Sequence, residues 1–473
     1  MAFRLTDNIL RSLKSTKTSD SSHQPAFFNQ KFLKKRTFAP MKFYSTARKT
    51  PPTGWQDVLF RGLAPDRGLF MPERIPKLSA SFLNHLGDYS LPEIGFTIAR
   101  EFLSESEMDE ATLRALTAET LNFPIPLVRL SPDIYTLELF HGPTLAFKDV
   151  GARFMARLMG HFRQEAQRDL VVLAATSGDT GSAVASGFYQ IEGIRVILLF
   201  PKGKVSRIQE QQLTTWGENI TALEIEGSFD DCQKLVKTAF QDEKLRQHLT
   251  LTSANSINFA RLLPQSFYYF HAMGQLPRSE TRKVVFSVPS GNFGHLTAGL
   301  LAERMGLPVG RFIAATNQNN IVPEYLKTGS FKPRPSVPTL SNAMDVGNPS
   351  NFARMADLFD CDAAAMQERI QGFWRSDAET RADLRHIWQQ HQYIADPHGA
   401  IGYAALNEEL HPEEEVGIFL ETAHPAKFGE TVTEATGEAV PVPERLATVL
   451  QRPSHATSLP ADWEALRRFL LDF

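Results

Sequence analysis

Short apolar runs alternate with helical patterns along the chain from about residue 130. Several of these runs are continuously apolar, which is typical of parallel strands that are covered on both faces. The runs that predict strands are 136–140, 170–176, 195–201, 219–225, 283–289, 311–316 and 416–423. The stretches that predict helices between them include 149–167, 180–191, 229–247, 257–275 and 295–306. This alternation predicts an α/β fold with parallel sheets.

The remaining segments have other patterns. Residues 41–130 mix short helical patterns with loops, and residues 329–351 are rich in Pro, Ser and Asn, which predicts a long functional or mobile loop. We therefore predict five regions along the chain. They are a disordered basic extension over 1–40, an N-terminal domain over 41–130, a first α/β domain over 131–280, a second α/β domain over 281–435, and a C-terminal tail over 436–473 that packs on the body.

Composition excludes several classes of protein. The chain has 473 residues, of which 42% are hydrophobic and 22% charged, as expected for a globular protein of two to three domains. Its two cysteines, Cys232 and Cys361, are too few for a disulfide framework or a cysteine-rich zinc site. The longest apolar runs are shorter than the roughly 20 residues that a membrane-spanning helix needs, so we predict no membrane association.

Charge is distributed unevenly along the chain. Residues 1–50 hold 11 Lys and Arg against 2 Asp and Glu, whereas the remainder carries 39 against 51. An acidic body argues against nucleic acid as a partner. The basic start lacks the apolar segment of a secretory signal, and it is either an organellar transit peptide or an extension upstream of a start at Met41. We predict a cytoplasmic location, or an organellar one if residues 1–40 are a transit peptide.

Candidate chemistry lies where strands end, because ligands of open α/β sheets bind beyond the carboxyl ends of the strands. The sequence TSGDTG (176–181) follows one predicted strand and begins a predicted helix. Backbone N–H groups and the helix dipole at such a position hold an anion. The alternative is ordinary N-capping by Ser177, Asp179 or Thr180, which needs no ligand.

A second loop of this kind, SGNFG (290–294), follows the strand at 283–289 and precedes His295, which opens a predicted helix. Its two glycines allow the backbone to approach a phosphate closely. The loop lacks the Lys-Ser/Thr pair of a nucleotide-binding P-loop and does not match GxGxxG, so a nucleotide is not expected. Two such loops favour a ligand with two anionic ends, and two tight turns without a ligand are the alternative.

A lysine with unusual surroundings lies between these loops and the N-terminal domain. Lys148 belongs to HGPTLAFKD (141–149), where it follows apolar residues and precedes a predicted helix. Desolvation and the helix dipole disfavour its ammonium form, so we expect a lowered pKa. Such a lysine serves as a nucleophile or as the partner of a carbonyl cofactor. The alternative is a solvated lysine beside Asp149.

Two histidines, His398 and His424, lie next to prolines near the carboxyl end. They are more simply explained as caps or hydrogen-bonded structural residues than as metal ligands, because no second histidine or carboxylate lies at a ligand spacing. We therefore predict no metal site.

A lysine, a phosphate loop and an anion-binding helix start together suggest pyridoxal 5′-phosphate (PLP) as the cofactor. The motifs that extend this pattern are, in chain order, HGPTLAFKD, ATSGDTGSA, PKGKVSRIQEQQLTTWGEN, VPSGNFG, TLSNAMDVGNPSN, ADPHGA and TAHPAKF. This series resembles the threonine synthases, which belong to the tryptophan-synthase-β-like (fold type II) PLP enzymes. The resemblance covers about 41–435, with Arg67 where glycine is common. It implies two parallel-sheet α/β domains with the cofactor in their cleft and a mixed N-terminal region.

The resemblance also implies roles for individual residues. Lys148 would form the Schiff base with the cofactor, Thr422 would face its pyridine nitrogen, and Asp179 would lie near its 3′-oxygen. The residues implied to hold the cofactor phosphate are Gly291, Asn292, Phe293, Gly294 and His295. The residues implied to bind the substrate carboxylate are Ser177, Gly178 and Thr180. The substrate phosphate also needs hydrogen-bond donors, for which Lys204, Ser206, Asn342 and Arg354 are unranked candidates.

Enzymes of this family convert O-phospho-L-homoserine and water into L-threonine and phosphate, by γ-elimination and β-addition of water. The resemblance therefore predicts a PLP-dependent carbon–oxygen lyase with a small-molecule substrate, working as a monomer or homodimer. A phospholyase or dehydratase of the same fold, acting on O-phosphothreonine or threonine, is the alternative, because it would share Lys148 and the glycine loop. A catalytically silent relative that binds PLP or phosphate as a sensor is less consistent with the presence of Lys148 and both loops.

Overall fold

We describe the fold from a computed structural model, which covers residues 39–163, 170–176 and 178–472. The predicted basic extension lies almost wholly outside these residues, and so does Ser177. The strands are β1 (Phe43–Ser45), β2 (Phe70–Pro72), β3 (Leu127–Arg129), β4 (Ile134–Glu138), β5 (Leu170–Ala175), β6 (Ile194–Pro201), β7 (Ile220–Glu226), β8 (Thr250–Thr252), β9 (Lys283–Pro289), β10 (Val309–Thr316), β11 (Ile370–Trp374), β12 (Glu415–Glu421) and β13 (Thr457–Pro460).

Helices connect and cover these strands. They are α1 (Trp55–Arg61), α2 (Ala80–Leu83), α3 (Leu91–Arg100), α4 (Glu110–Thr120), α5 (Lys148–Arg163), α6 (Asp179–Phe188), α7 (Arg207–Thr214), α8 (Phe229–Gln241), α9 (Glu243–His248), α10 (Phe259–Leu262), α11 (Phe267–Gln275), α12 (Gly294–Arg304), α13 (Ile321–Thr328), α14 (Phe352–Leu358), α15 (Ala363–Arg369), α16 (Asp377–His391), α17 (Pro397–Glu409), α18 (Gly429–Thr436), α19 (Glu444–Leu450) and α20 (Trp463–Asp472). Within the described residues, no helix is both long and apolar enough to cross a membrane.

Two sheets dominate the fold. The larger has the strand order β11-β10-β9-β12-β4-β3, in which only β3 is antiparallel to its neighbour. The smaller has the order β13-β7-β6-β5-β8, and all of its pairs are parallel. The predicted α/β fold with parallel sheets is confirmed. Parallel strands of one sheet end at a common edge, so the loops after β9 and β12 lie side by side at the larger sheet, whereas the loop after β5 belongs to the smaller sheet.

Burial on both faces explains why the central strands have continuous apolar sequences. Every residue of β5 (LVVLAA) is buried, and so is every residue of β12 (EVGIFLE). Helices cover both faces of such sheets and remove the strands from water. The apolar runs in the sequence therefore predict these strands closely, with bounds that differ by a few residues.

Sheet membership changes two of the predicted regions. Strand β4, which falls in the predicted domain 131–280, pairs in parallel with β12 of the larger sheet. The chain therefore crosses from the larger to the smaller sheet between β4 and β5, and Lys148 lies on this crossing. The predicted tail contributes more than a cover, because β13 extends the smaller sheet beside β7 and Leu466 and Leu470 of α20 are buried against it. Apolar periodicity predicts a strand, but not the sheet that it joins.

Candidate active site

A cleft of about 2010 Å³ is lined by loops that follow strands of both larger sheets. It collects most of the residues that the sequence predicts for a site. The predicted residues that line it are Lys148, Thr180, Lys204, Gly291, Asn292, Phe293, Gly294, His295, Asn342 and Thr422. Those that do not line it are Gly178, Asp179, Ser206 and Arg354.

Backbone pairing positions Lys148. It is the first residue of α5, and the residues before it run antiparallel to the segment that follows β12. The N–H of Phe147 donates to the carbonyl of Thr422 at 2.9 Å, and the N–H of His424 donates to the carbonyl of Leu145 at 3.1 Å. This pairing holds the lysine and the strand end at Thr422 on the same wall of the cleft.

Asp149, the neighbour of Lys148, has a different partner. Its buried carboxylate accepts hydrogen bonds from the N–H of Thr144 at 2.9 Å and from the hydroxyl of Thr144 at 2.7 Å. Burial raises the pKa of Asp149. Because this carboxylate fixes the loop that leads into α5, the alternative of a solvated Lys148 beside Asp149 does not describe the structure.

The surroundings of Lys148 favour its neutral amine. The side chain is half-buried, and its Nζ lies 5.5 Å from the centre of the Phe147 ring. Desolvation is the main cause that lowers the pKa of Lys148; Asp179 opposes this effect, whereas Lys427 and Arg261 add to it. A lysine with a lowered pKa acts as a nucleophile or base near neutral pH.

The loop after β9 presents a row of backbone donors to the cleft. Phe293 has a left-handed φ of 59°, and α12 begins at the next residue. The N–H groups of residues 291–296 donate to no acceptor within the described part of the chain. Free N–H groups at a helix N-terminus bind an anion such as phosphate.

Neighbouring segments fix this loop in place. The side chain of Asn292 donates to the hydroxyl of Ser256 at 2.6 Å and accepts from the N–H of Ser350 at 2.6 Å. At Gly291, an added Cβ would lie 2.7 Å from the Cα of Met344. The loop therefore needs glycine at this position for packing, and the side chain of Asn292 orients the loop.

His295 forms an aromatic wall of the cleft. Its ring stacks on Phe147 with centroids 4.5 Å apart and planes 9° apart, and the edges of Tyr268 and Tyr269 also contact it. Neither ring nitrogen has a hydrogen-bond partner among the described residues. Burial and the nearby Lys148 lower the pKa of His295 to about 3. A neutral imidazole does not supply a positive charge to a phosphate.

Thr176 organises the start of α6. Its hydroxyl oxygen accepts from the N–H groups of Gly178 at 3.0 Å and Gly181 at 2.8 Å. Gly178 has a φ of 139°, a conformation that favours glycine. Thr180 lines the cleft, whereas Ser177 lies outside the described residues. The N-cap residue of α6 is Gly178, so neither Asp179 nor Thr180 caps this helix; the hydroxyl of Thr176 instead accepts from its first turn.

Asp179 forms a buried ion pair that the sequence did not reveal. The Nζ of Lys427 lies 2.9 Å from its carboxylate, and the amide of Gln209 donates to the same oxygen at 3.3 Å. Burial alone would raise the pKa of Asp179, but Lys427 and Lys148 outweigh it and bring the pKa to about 2. In the sequence, only its membership of the TAHPAKF motif indicated that Lys427 belongs near the site.

The residues predicted to bind a substrate phosphate are distributed over three environments. Lys204 lies exposed at the rim of the cleft, and Asn342 lines it from within the loop 329–351. Ser206 instead caps α7, since its hydroxyl accepts from the N–H of Gln209 at 3.3 Å. The N-cap role accounts for this serine without a ligand.

Arg354 was predicted to bind the substrate phosphate, but it lies outside the cleft. Its side chain is fully buried and does not line the cleft. Its guanidinium donates to the carbonyl of Phe70 at 3.1 Å, to those of Ser256 at 3.2 Å and Ile257 at 2.6 Å, and to the side chain of Asn351 at 2.8 Å. Because protein acceptors use these donors, Arg354 joins segments of the fold and is not free to hold a substrate phosphate.

The sequence analysis missed three polar residues that line the cleft. Asn255 lies in the polar segment directly after β8, which offers a strand-end signal, whereas Arg261 lies on α10 and Gln265 in the turn that follows this helix. Oδ1 of Asn255, Nε of Arg261 and Oε1 of Gln265 are buried without partners among the described residues. Buried polar atoms are normally paired. A polar ligand in the cleft therefore fits this wall.

His398 links two segments that line the cleft. Its Nδ1 lies 2.6 Å from the carboxylate of Asp396, and its Nε2 accepts from the N–H of Ala343 at 3.3 Å. Asp396 also accepts from the N–H of Ala423 at 3.0 Å, directly after Thr422. The predicted structural histidine is therefore present, and it joins the loop 329–351 to the end of β12.

This cleft has the parts that PLP requires: a lysine amine for its aldehyde, a row of N–H groups for its phosphate and a hydroxyl at a strand end for its ring nitrogen. The family model "Pyridoxal-phosphate dependent enzyme" matches residues 119–421, well over half of the chain. Fold and site thus define a PLP-dependent enzyme of fold type II.

Two further family models match the remainder. "Threonine synthase N terminus" matches residues 42–121, and "Threonine synthase, C-terminal" matches residues 399–470. The chain belongs to the threonine synthase family. It is therefore a PLP-dependent lyase that acts on a small-molecule substrate.

Individual relatives agree with these matches over nearly the whole chain. Threonine synthase from Haemophilus influenzae is 46% identical over 431 residues, which are 91% of this chain and 100% of that protein. The crystal structure of threonine synthase from Escherichia coli has a TM-score of 0.84 at 41% identity and covers 91% of this chain and 100% of its own. PLP-bound threonine synthase from Brucella melitensis has a TM-score of 0.86 at 35% identity, covering 91% and 99%.

Proposed function

We propose that the enzyme converts O-phospho-L-homoserine and water into L-threonine and phosphate, with Lys148 as its catalytic residue. The observation that carries this proposal is the meeting of Lys148, the free N–H groups after β9 and Thr422 in one cleft. In a chain of the threonine synthase family, this arrangement supports the reaction that the family is known for.

The cofactor would be held by residues that follow three strands of the larger sheet, β4, β9 and β12. Lys148 would bind its aldehyde carbon, the N–H groups of residues 291–296 its phosphate, and the hydroxyl of Thr422 its ring nitrogen. When bound, PLP supplies a conjugated ring that stabilises negative charge on the substrate. Asp179 does not line the cleft and is held by Lys427, so we assign it no direct contact with the cofactor.

Lys148 is proposed to carry the protons of the reaction. Nζ of Lys148, at the wall of the cleft, would remove the proton from Cα of the substrate. Departure of phosphate from Cγ requires loss of a proton from Cβ, which the departing phosphate would accept. Lys148 would return a proton to Cγ, and water would add its hydroxyl to Cβ and restore its remaining proton to Lys148. The lowered pKa of Lys148 supports this role, because the neutral amine accepts a proton.

The charge of the cleft supports a doubly anionic substrate. The basic residues along its wall, besides Lys148 and Arg261, are Arg61, Arg67, Lys204, Lys237, Arg246 and Arg334. The acidic residues along it are Asp57, Asp230 and Asp345. A basic cleft in an otherwise acidic body concentrates anions at the site. A substrate that carries both a carboxylate and a phosphate fits this field.

The loop 329–351 is proposed to exclude water until the phosphate has left. Asp345 organises this loop, because its carboxylate accepts from the N–H of Thr339 at 3.0 Å, the hydroxyl of Thr339 at 2.7 Å and the amide of Asn317 at 2.9 Å. Burial raises the pKa of Asp345 to about 6. Early protonation or hydrolysis would divert the reaction to 2-oxobutyrate, so control of water access matters for the product.

A panel of three substrates tests the proposed reaction. The purified enzyme with PLP is given O-phospho-L-homoserine, O-phospho-L-threonine or L-threonine in ¹⁸O-labelled water, and products are identified by mass spectrometry. We expect threonine with one ¹⁸O in its hydroxyl, and an equal amount of phosphate, from O-phospho-L-homoserine. Formation of 2-oxobutyrate alone, or turnover only of O-phospho-L-threonine or L-threonine, would instead assign the chain to the phospholyase or dehydratase reaction. Monomer or homodimer assembly and a cytoplasmic location remain predictions.

A further inference from the structure

A buried ion pair connects the two large sheets next to the lysine of the site. Asp179 begins α6, which follows β5 of the smaller sheet, and Lys427 lies in the turn after β12 of the larger sheet. Their charged atoms are 2.9 Å apart, with side chains 4% and 0% exposed. A buried cation is retained only where it is paired, and the reaction steps proposed for Lys148 give Lys427 no part.

Both members of this pair shift the pKa of Lys148: Asp179 raises it and Lys427 lowers it. The groups that influence its ammonium are Asp179 on α6, Lys427 after β12, Arg261 on α10 and Asp396 before α17. Of the two carboxylates, Asp179 raises the pKa of Lys148 more than Asp396 does. Apart from Lys427, the only side-chain hydrogen bond to Asp179 comes from the neutral amide of Gln209, within the described residues. Without Lys427, the cation left to compensate this buried carboxylate would be Lys148.

We propose that Lys427 is a positioning residue, whose ammonium holds the Asp179 carboxylate in an ion pair and so keeps Lys148 available as a free amine for the cofactor. This inference rests on the proposed role of Lys148. Lys427 does not line the cleft, and it acts on Lys148 both by pairing with Asp179 and through its own positive charge.

The proposal predicts opposite effects of removing the two charges. In Lys427→Met, the unpaired carboxylate of Asp179 stabilises the ammonium form of Lys148 and makes the amine less reactive. In Asp179→Asn, the unpaired ammonium of Lys427 disfavours the ammonium form of Lys148 and makes the amine more reactive. A purely structural ion pair would give changes of the same sign, because either variant would loosen the same packing.

The reactivity of Lys148 is measured in the full-length chain after removal of the cofactor. Acetic anhydride labels the amine at several pH values, and mass spectrometry quantifies the peptide that contains Lys148. We expect labelling at pH 7 to be about tenfold slower in Lys427→Met and faster in Asp179→Asn, since a tenfold change in free amine corresponds to one pKa unit. The double variant should return to within about threefold of the original chain, because both charges are absent. The rate of PLP uptake should follow the same order.

Matched variants separate this effect from general damage. Lys77→Met and Asp360→Asn alter exposed residues outside the cleft and should leave Lys148 labelling unchanged. Lys427→Arg keeps the positive charge and should stay closest to the original chain. If Lys427→Met does not fold, Asp179→Asn alone decides, since slower or unchanged labelling of Lys148 in that variant contradicts the proposal.

Equal signs in the two single variants, or labelling within twofold of the original chain in a folded Lys427→Met, would overturn the proposal. The proposed role of Lys148 is tested separately, by finding which lysine carries the cofactor in the unaltered chain. A cofactor on another lysine would refute that role, whatever the effect of Lys427.

Discussion

The backbone N–H of Phe147 donates to the carbonyl of Thr422 at 2.9 Å. This hydrogen bond joins the start of α5 to the end of β12, which are far apart in the sequence. Lys148 follows the donor residue, and Thr422 also lines the cleft, so one backbone contact sets the relation between the lysine and the strand end. The geometry of the site is thus secured by the main chain, and side chains at these positions are free for chemistry.

Lys148→Ala should abolish turnover and the visible absorbance of the bound cofactor together. The variant lacks the amine proposed to bind the cofactor and to transfer protons, and general acid–base catalysis alone is worth about 10²–10⁴-fold. Steady-state assays with O-phospho-L-homoserine and an absorbance spectrum measure both properties. Lys77→Ala, at an exposed site outside the cleft, should retain both. A turnover rate near the original value in Lys148→Ala would exclude Lys148 as the catalytic residue.

Gly291→Ala should weaken cofactor binding by at least about tenfold and lower the free energy of unfolding by about 1–3 kcal/mol. The added Cβ would lie 2.7 Å from the Cα of Met344, so the phosphate loop must move. Equilibrium titration with PLP and denaturant unfolding measure the two effects. Gly429→Ala is a suitable control, because a Cβ there meets nothing within 4 Å. Unchanged PLP affinity in Gly291→Ala would show that the loop does not hold the cofactor.

Arg354→Met should lower the stability of the fold, whereas Asn342→Ala should weaken substrate binding. Arg354→Met leaves several buried acceptors without donors, so we expect the free energy of unfolding to fall by about 3 kcal/mol or more, since each such acceptor costs about 1–3 kcal/mol. Asn342→Ala should leave stability nearly unchanged and raise KM for the substrate, because Asn342 lines the cleft. Thermal unfolding and steady-state kinetics distinguish the two. An Arg354→Met variant with unchanged stability and a raised KM would contradict the structural role of Arg354 and would support its contact with the substrate.

His295 should make the folded protein sensitive to mild acid. Its pKa is lowered from 6.5 to about 3 on folding, so between these values the unfolded chain binds a proton that the folded chain does not. Stability contributed by the neutral imidazole is therefore lost as pH falls below 6.5, by up to roughly 1.4 kcal/mol for each pH unit. Urea unfolding of the cofactor-free chain at pH 7, 6 and 5 should show a shallower decline in His295→Gln. In the control His455→Gln, at an exposed position, the free energy of unfolding should fall with pH as steeply as in the original chain. An equally steep fall in His295→Gln would contradict the role given to His295.

The sequence predicted what depends on local pattern. Continuous apolar runs predicted β5, β9 and β12, because a strand that is buried on both faces has apolar residues at successive positions. Loops at the ends of these strands were predicted to hold the site: β9 and β12 bring their loops to one edge of the larger sheet, and the loop after β5 comes from the smaller sheet. The apolar neighbours of Lys148 and the helix that follows it predicted a lowered pKa, whereas its role as the cofactor lysine came from the resemblance to the threonine synthases.

Long-range pairing explains what the sequence did not predict. The ion pair of Asp179 with Lys427 joins two sheets, and neither residue carries a local signal for the other. Arg354 was predicted as a substrate ligand because its residue type suits phosphate, but its position on α14 directs it into the interior, where backbone carbonyls use its donors. Partner choice of this kind depends on the tertiary fold.

The most direct test of the central claim is to identify the lysine that carries the cofactor. The full-length enzyme loaded with PLP is treated with borohydride, which fixes a lysine-bound cofactor irreversibly, and the modified peptide is sequenced by mass spectrometry. The account predicts the modification on Lys148, within HGPTLAFKD, and its loss when O-phospho-L-homoserine is added before the reductant. Modification of another lysine, above all the nearby buried Lys427, would contradict the account.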